Sequence, residues 1–373
     1  MRRILAVHPS DELYGADRVL LQSVQVLERL GRVRVWLPDD VEYAERLLTR
    51  ELSRAAVQVE RPGVVVLRRE YARLSALPSL LAQSWRTFRA LRRERPDLVY
   101  VNTSAMLLVA PLARLVGARV LVHVHEGWTR RERLLLGPLL RTSHAVLAVS
   151  EAVAKELPLR RGRIQVVHNG VDVPEVPEER RAEIRALAGA GEDDTLVLVA
   201  SRWNRWKGVD VLLEAWSRLE REDLRLVVLG GPPPSGQAVD VKGIVERMPH
   251  RESVTVVGEV DHVAEWFAAS NLIAVPSIAP DPFPLVAVEA AAHGVAVLAS
   301  RTGGLPEMVV DRRTGVLLEP GDVQAWAEAL ASSDPAALRA MGRAAAEHHR
   351  TDYTGSAFSR RLAAAVQGVL RSR

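Results

Sequence analysis

The chain of 373 residues contains no cysteine. That excludes a disulfide framework and a cysteine nucleophile, and it suits a reducing compartment. Lysine is nearly absent too: among 50 Lys plus Arg, the only lysines are Lys155, Lys207 and Lys242. A lysine in such a background marks a place where a compact point charge is wanted rather than a planar fork. No apolar run is long enough to span a membrane. The opening M-R-R-I-L-A-V-H-P-S has too short an apolar run for a signal peptide and reads as a first strand. No G-x-G-x-x-G follows a strand, which argues against a dinucleotide-dependent oxidoreductase. The aromatics are not arranged as a stacking platform, so nucleic acid is not expected as a partner. These absences leave a cytoplasmic protein as the expectation.

What is present is alternation. Short continuous Val/Leu/Ile runs predict strands at 4–8, 33–37, 64–67, 98–102, 120–123, 146–149 and 164–167, and again at 196–200, 224–229, 254–257, 272–275, 296–299 and 316–318. Helical patterns lie between most of them, and 355–370 reads as a last helix. Apolar runs without period-two alternation indicate parallel strands covered on both faces. Two successive sets of this kind predict two doubly wound α/β domains, with a boundary in the Pro- and acid-rich stretch 171–179. A cleft at the carboxyl ends of the strands is the expected ligand site.

Charge is unevenly spread. Residues 1–175 hold 28 basic and 19 acidic side chains, and residues 176–373 hold 22 and 27, so the halves carry +9 and −5. A basic first half suggests an anionic partner. The stretch 68–95, which opens at Arg68 and closes at Arg95, carries eight Arg and two Glu around Leu74, Leu77, Leu80, Leu81, Trp85, Phe88 and Leu91. It reads either as a helix lying on an anionic membrane surface or as an ordinary helix with an arginine face.

The stretch 279–294 (A-P-D-P-F-P-L-V-A-V-E-A-A-A-H-G) carries the most chemistry. A helix is expected over 284–293, with Pro284 at its first position and Gly294 at its stop. Between Asp281 and Arg301 the only charged side chain is Glu289, on a helix that is apolar or small nearly all round. Such a carboxylate must face solvent, find a partner or face a ligand. Asp281 stands beside the N-terminus of the same helix, where free N–H groups and the dipole favour phosphate and hydroxyl groups.

Four other stretches are candidates. Residues 200–208 (A-S-R-W-N-R-W-K-G) place Arg202, Arg205 and Lys207 in one loop between a strand and a helix, a ready diphosphate clamp or a solvated basic loop. Gly15, in the loop after the first strand, allows a close backbone approach to phosphate or a plain turn. In V-L-V-H-V-H-E-G-W, His123 and His125 share one strand face, and Glu126, Gly127 and Trp128 follow at the strand end. The His-x-His pair has no third ligand at suitable spacing and no Asp-x-Asp motif accompanies it, so no metal is expected; His123 is readable as a core histidine. The loops 301–307 (R-T-G-G-L-P-E) and 166–172 (V-V-H-N-G-V-D) either face a ligand or simply turn.

Taken together these stretches resemble the retaining glycosyltransferases of family 4, which have the GT-B fold of two Rossmann-like domains facing a central cleft. The family's Glu-x-Phe-Gly-Leu-x-x-x-Glu motif matches Asp281-Pro282-Phe283-Pro284-Leu285-Val286-Ala287-Val288-Glu289. Its G-R-x-x-x-x-K-G loop matches Ser201-Arg202-Trp203-Asn204-Arg205-Trp206-Lys207-Gly208. Its G-G-x-P-E, P-N-G-V-D and G-G-x-E segments match Gly303 to Glu307, His168 to Asp172 and Tyr14 to Asp17.

The resemblance implies an acceptor-binding domain over 1–173, a nucleotide-sugar-binding domain over 174–354 and a helix over 355–373 that packs back on the first domain. It implies that Arg202 and Lys207 hold the donor diphosphate, that Glu289 binds the ribose and Asp281 the donor sugar, and that the backbone from Phe283 through Pro284 and Leu285 faces sugar or phosphate. His125 would contact the donor sugar from the acceptor side, with Glu126 and Trp128 beside it. Gly15 would also meet the donor, and the base would sit near Gly258 to Val260. The implied reaction moves a sugar, with retention and without metal or other cofactor, from a nucleoside-diphosphate sugar to a glycan, glycolipid or lipid-linked acceptor. Three departures stand out: Asp281 is one methylene shorter than the usual Glu, Pro284 replaces a glycine and deletes an N–H donor, and the N-terminal loop has one glycine instead of two. They motivate a second reading, a non-catalytic sugar-nucleotide-binding or scaffold protein of the same fold.

Overall fold

The computed structural model describes residues 1–13, 15–41, 43, 45–68, 77–233 and 236–371. Tyr14 and residues 69–76, the first part of the basic stretch, lie outside the described residues. The chain divides into two compact units, Met1–Asn169 with Gly355–Arg373, and Gly170–Thr354. No helix among the described residues is long and apolar enough to cross a membrane.

The first unit runs β1 (Arg3–Val7), α1 (Gly15–Glu28), β2 (Arg32–Trp36), α2 (Leu47–Arg54), β3 (Gln58–Glu60), α3 (Leu77–Glu94), β4 (Leu98–Asn102), α4 (Val109–Leu115), β5 (Arg119–Val124), α5 (Arg130–Leu140), β6 (Ala145–Ala148), α6 (Glu151–Glu156) and β7 (Ile164–Val166). The second runs α7 (Glu178–Leu187), β8 (Thr195–Ala200), α8 (Val209–Trp216), β9 (Leu224–Leu229), α9 (Val241–Glu246), β10 (Val254–Gly258), α10 (Val263–Ala269), β11 (Leu272–Val275), α11 (Leu285–Ala292), β12 (Ala296–Ser300), α12 (Leu305–Met308), β13 (Gly315–Leu318), α13 (Val323–Ala331) and α14 (Pro335–Asp352). The last helix, α15 (Gly355–Arg371), returns to the first unit.

Both sheets are parallel, with strand orders β3-β2-β1-β4-β5-β6-β7 and β10-β9-β8-β11-β12-β13. In each, the order reverses between two central strands: β1 and β4 in the first, β8 and β11 in the second. Chains leaving such a pair part to opposite faces and open a crevice at the strand ends. The central strands are buried along their length, as the uninterrupted apolar runs require. α15 lays Phe358, Leu362 and Val366 into the core formed by Leu20, Leu27, Tyr100 and Leu121, an i, i+4, i+8 stripe.

Two expectations need correction. Residues 64–67 form no strand. Val64, Val65 and Val66 are buried, but Val65 N–H donates to Thr87 Oγ1 (2.9 Å) and Leu67 N–H to the Ala105 carbonyl (2.7 Å). The strand is β3, which pairs with β2 before the turn at Gly63 (φ 73°) redirects the chain. An apolar run signals burial, and burial does not require a ladder. Pro284 is the N-cap of α11 with extended ψ of 98°, not its first helical residue. Gly294, at φ 71°, ends that helix as expected.

The first unit's core includes a histidine. His123 on β5 is fully buried, with Nδ1 2.6 Å from the Tyr100 hydroxyl. Burial pushes its pKa down to about 3 from the ordinary 6.5. Between those values the unfolded chain binds a proton that the folded chain does not, so stability falls as pH falls. The same direction holds for His293, pushed down to about 4 by burial. The thermal unfolding midpoint is therefore expected to drop once the pH passes below 6.5, His123 alone costing about 2 kcal/mol at pH 5. Equal midpoints at pH 7 and pH 5 would contradict the burial of a neutral His123.

Candidate functional site

The loop that leaves β8 makes one 3-10 turn at Arg205–Lys207 and hands over to α8 at Gly208. Gly208 has φ of 69°, and a Cβ there would stand 1.9 Å from the Pro276 carbonyl oxygen. Glycine is required because this loop lies against the end of β11. The loop after β12 approaches from the other side: a Cβ on Gly303 would stand 2.2 Å from the Asp281 carbonyl oxygen, which accepts the Gly304 N–H at 2.8 Å. The glycine pair is thus explained by close packing on the backbone at Asp281.

The loops after β8 and β11 line a cavity of about 230 Å³ at the carboxyl ends of those strands, the point where the strand order reverses. Lys207, Asp281, Phe283, Pro284 and Leu285, all singled out from sequence, line it. Lys207 Nζ lies 2.6 Å from Asp281 Oδ2 and 4.2 Å from the centre of the Trp206 ring. The two charged side chains are 23% and 10% exposed, so the pair is largely desolvated and removal of either would leave an uncompensated charge. α8 and α11 both begin here without a side-chain cap. Leu285 and Val286, in the first turn of α11, line the cavity, and that turn leaves backbone N–H groups and positive dipole character there, which suits an anion. Ser201 and Ser277 also line the cavity, and their buried hydroxyls have no hydrogen-bond partner among the described residues. Neither serine was singled out from sequence; a small polar residue just past a buried strand was the available signal at Ser277.

Not every expected donor residue lines this cavity. Arg202 is half-buried in the same loop but outside the lining. Glu289 is half-buried on the second turn of α11, beyond Leu285 and Val286. Gly258 (φ 97°) closes β10, the edge strand, two strands from β8, and Val260 follows it. Gly15 belongs to the first unit and opens α1, exposed.

The first unit has polar groups at its own reversal point. His8 follows β1 and Asn102 ends β4, neighbouring strands in register at Val7 and Val101. His8 Nε2 lies 2.7 Å from Asp17 Oδ1, and its Nδ1 2.8 Å from Asn102 Nδ2. Asn102 Oδ1 lies 2.8 Å from His125 Nε2. His8, Asn102 and Asp17 are buried, while His125 is half-buried with its ring 4.1 Å from that of His123. Burial first, then the neighbouring His123 and His8, hold the His125 pKa well below the ordinary histidine value. Glu126 Oε2 accepts from the His125 N–H (3.2 Å), the Ser104 N–H (3.2 Å) and the Ser104 hydroxyl (2.6 Å). Trp128 is buried and donates its indole N–H to Ser104 Oγ at 3.1 Å. Glu126 and Trp128 therefore brace the loop in which His125 sits. His8 and Asn102 escaped the sequence reading because they lie 94 residues apart, although each ends a strand. Among the described residues no group of three or more His, Asp or Glu could hold a metal ion.

Comparison with known proteins gives a consistent answer. A family model described as Glycosyltransferase Family 4 matches residues 14–175, and one described as Glycosyl transferases group 1 matches residues 193–333. The chain is 38% identical to the D-inositol 3-phosphate glycosyltransferase of Streptomyces avermitilis over 213 residues, which is 53% of this chain and 46% of that one. It is 33% identical to the enzyme of that name from Mycobacterium avium over 313 residues, 68% of this chain and 72% of that one. The chain thus spans about half the length of the Streptomyces relative and nearly three quarters of the M. avium one. Among solved structures, Anabaena HepE in complex with UDP-glucose superposes with a TM-score of 0.83 at 21% identity, covering 99% of this chain and 100% of that one. A glycosyltransferase from Rickettsia africae gives 0.80 at 18%, covering 100% and 99%. Likeness at such identity is likeness of fold. With two parallel-sheet Rossmann-like units, a returning C-terminal helix and these matches, the chain belongs to the family 4 glycosyltransferases and has the GT-B fold.

Proposed function

We propose that the protein is a retaining glycosyltransferase that uses a nucleoside-diphosphate sugar. The observation that carries this reading is the cavity at the second sheet's reversal point, where Lys207, Asp281 and the uncapped N-terminus of α11 meet. A diphosphate offers Lys207 and the N–H groups of α11 the negative charge they favour. Arg202, on the same loop, adds a second cation, and Glu289 holds the ribose. Asp281 and the hydroxyls of Ser201 and Ser277 take sugar hydroxyls, with Phe283, Pro284 and Leu285 forming the wall. The base lies along Gly258 to Val260, and Gly15 meets the donor. His125, with Glu126 and Trp128 behind it, serves the acceptor side. HepE, which binds UDP-glucose in its crystal structure, makes UDP-sugars the first donors to try.

In the reaction the bond between the anomeric carbon and the β-phosphate oxygen breaks, and the acceptor oxygen bonds the same carbon on the same face. The acceptor proton passes to the leaving phosphate, whose charge Arg202 and Lys207 stabilise. The donor is a substrate, and neither metal nor other cofactor is invoked. The D-inositol 3-phosphate glycosyltransferase relatives and the basic first half favour a phosphorylated or lipid-linked acceptor. A non-catalytic sugar-nucleotide binder remains the second reading, favoured by Asp281 being already engaged by Lys207.

The membrane contact proposed for the basic stretch draws support from α3, which buries only Thr87, Ala90 and Leu91. Leu77, Leu81 and Trp85, spaced i, i+4, i+8, are 51%, 62% and 60% exposed beside the exposed Arg86, Arg89, Arg92 and Arg93. An apolar stripe flanked by arginines fits an anionic bilayer surface.

Two predictions follow from this reading. Lys207→Ala and Glu289→Ala should each weaken nucleotide-sugar binding about tenfold in calorimetry, a loss of roughly 1.4 kcal/mol, without unfolding the protein. Wild-type protein given donor and acceptor should release nucleoside diphosphate and form a product whose anomeric configuration, read by NMR, matches the donor. Binding without turnover or donor hydrolysis would favour the second reading, and unchanged binding in a variant would remove that residue from the site. Separately, co-sedimentation with vesicles containing anionic lipid should weaken as salt rises and on Arg89→Glu with Arg92→Glu; salt-independent binding, or none, would rule the membrane contact out.

A further inference from the structure

The polar groups at the reversal point of the first sheet form a chain whose direction can be worked out from its far end. As a carboxylate Asp17 can only accept; Ser10 Oγ donates to its Oδ1 and lies 3.1 Å from His8 Nε2. His8 Nε2, 2.7 Å from that same oxygen, therefore carries a proton. In the neutral ring His8 Nδ1 is then a bare lone pair and must accept. What faces it at 2.8 Å is the Asn102 amide. The amide's orientation has a second witness, since the same nitrogen lies 3.4 Å from the Ala16 carbonyl oxygen, an acceptor. With Nδ2 turned toward His8, Oδ1 is turned toward His125 Nε2 at 2.8 Å. An oxygen there asks for a proton on Nε2. His125 Nδ1 is left as a lone pair, and among the described residues no hydrogen bond engages it.

We infer that Asp17, His8 and Asn102 are positioning residues that hold His125 as the Nε2–H tautomer, with Nδ1 presented as an acceptor for a substrate hydroxyl. The inference rests on the transferase reading for the identity of that hydroxyl, a sugar or acceptor hydroxyl, but not for the tautomer. The surroundings are consistent with a fixed ring. His123 packs on one face, and the Glu126 carboxylate accepts the His125 backbone N–H from the loop side. From β4 the following residue, Thr103, sits at φ 77° and ψ 154°, a region nearly reserved for glycine, with its N–H donated to the His123 carbonyl at 2.9 Å. Backbone strain next to Asn102 indicates that the end of β4 is held in place by its surroundings. The titratable groups gathered here are Asp17 on α1, His8 after β1, Tyr100 on β4, and His123 and Glu126 beside His125.

Long-range nitrogen–proton NMR on the full-length protein labelled with 15N-histidine tests this directly. The His125 signals are assigned by their loss in His125→Gln. In the wild type, Nδ1 of His125 should appear as an unprotonated, pyridine-type nitrogen and Nε2 as a protonated one, unchanged from pH 8 to pH 5. In Asn102→Leu the two nitrogens should move toward each other as both tautomers become populated. If that variant does not fold, the wild-type spectrum still decides. A protonated Nδ1 in the wild type would overturn the inference, as would a folded Asn102→Leu with an unchanged His125 tautomer. Kinetics separate the two proposals. The expected tautomer with no turnover of any sugar nucleotide leaves the chain standing and defeats the transferase reading. Turnover with the opposite tautomer does the reverse. Where turnover is seen, Asn102→Leu should lower kcat/KM tenfold or more, while calorimetry shows nucleotide binding retained.

Discussion

An ammonium and a carboxylate 2.6 Å apart tie together the two loops that leave the central strands of the second sheet. Everything at that site depends on the loops coming close enough for Lys207 to reach Asp281. Gly208 permits it by lying on the Pro276 carbonyl, and Gly303 by lying on the backbone of Asp281. The reach also accounts for a departure in the motif. The shorter aspartate is held by a lysine that stacks on Trp206, so the carboxylate is positioned by a partner as well as by its own backbone. Pro284 removes one N–H from the rim, yet α11 still begins uncapped immediately after it. The second half of the chain is net acidic, and still it gathers a lysine and a helix N-terminus around one cavity.

The two sheets repeat one topological device with different chemistry. Each reverses its strand order at the centre, and each carries its polar residues at that reversal. The second unit uses charge, which suits a ligand that brings its own phosphates. The first unit uses a buried chain of neutral donors and acceptors ending in one carboxylate, which suits fixing a ring and a tautomer. In a buried network of this kind each donor needs an acceptor, and a carboxylate at Asp17 sets the direction for the contacts from His8 to His125, leaving only His125 Nδ1 open.

Much of this was legible from the residues alone, for physical reasons. Continuous Val/Leu/Ile runs are what strands buried on both faces look like, and twelve of the observed strands fall on such runs. β3 (Q-V-E) is too short and polar to show, and 64–66 shows falsely because buried coil and buried strand share a composition. Asp281 and Phe283 were found because charges and prolines interrupt an otherwise apolar stretch, and Lys207 because it is one of three lysines and sits in a basic loop between a strand and a helix. The glycines of 303–304 were seen, but not their reason, which is an approach by backbone some twenty residues away. His8 and Asn102 were missed because a hydrogen bond between strand ends leaves no local pattern, and for the same reason nothing in the sequence shows that the Glu126 carboxylate accepts from Ser104.

The central claim is that the cavity beside Lys207 and Asp281 takes a nucleoside diphosphate. The direct measurement is the thermal unfolding midpoint of the protein in the presence of UDP, GDP, ADP and dTDP and their common sugar conjugates. At 100 times its dissociation constant a ligand adds about 2.7 kcal/mol to stability, so one nucleotide series should raise the midpoint clearly and the others should not. A midpoint that stays flat with every nucleotide and conjugate would contradict the assignment of this cavity.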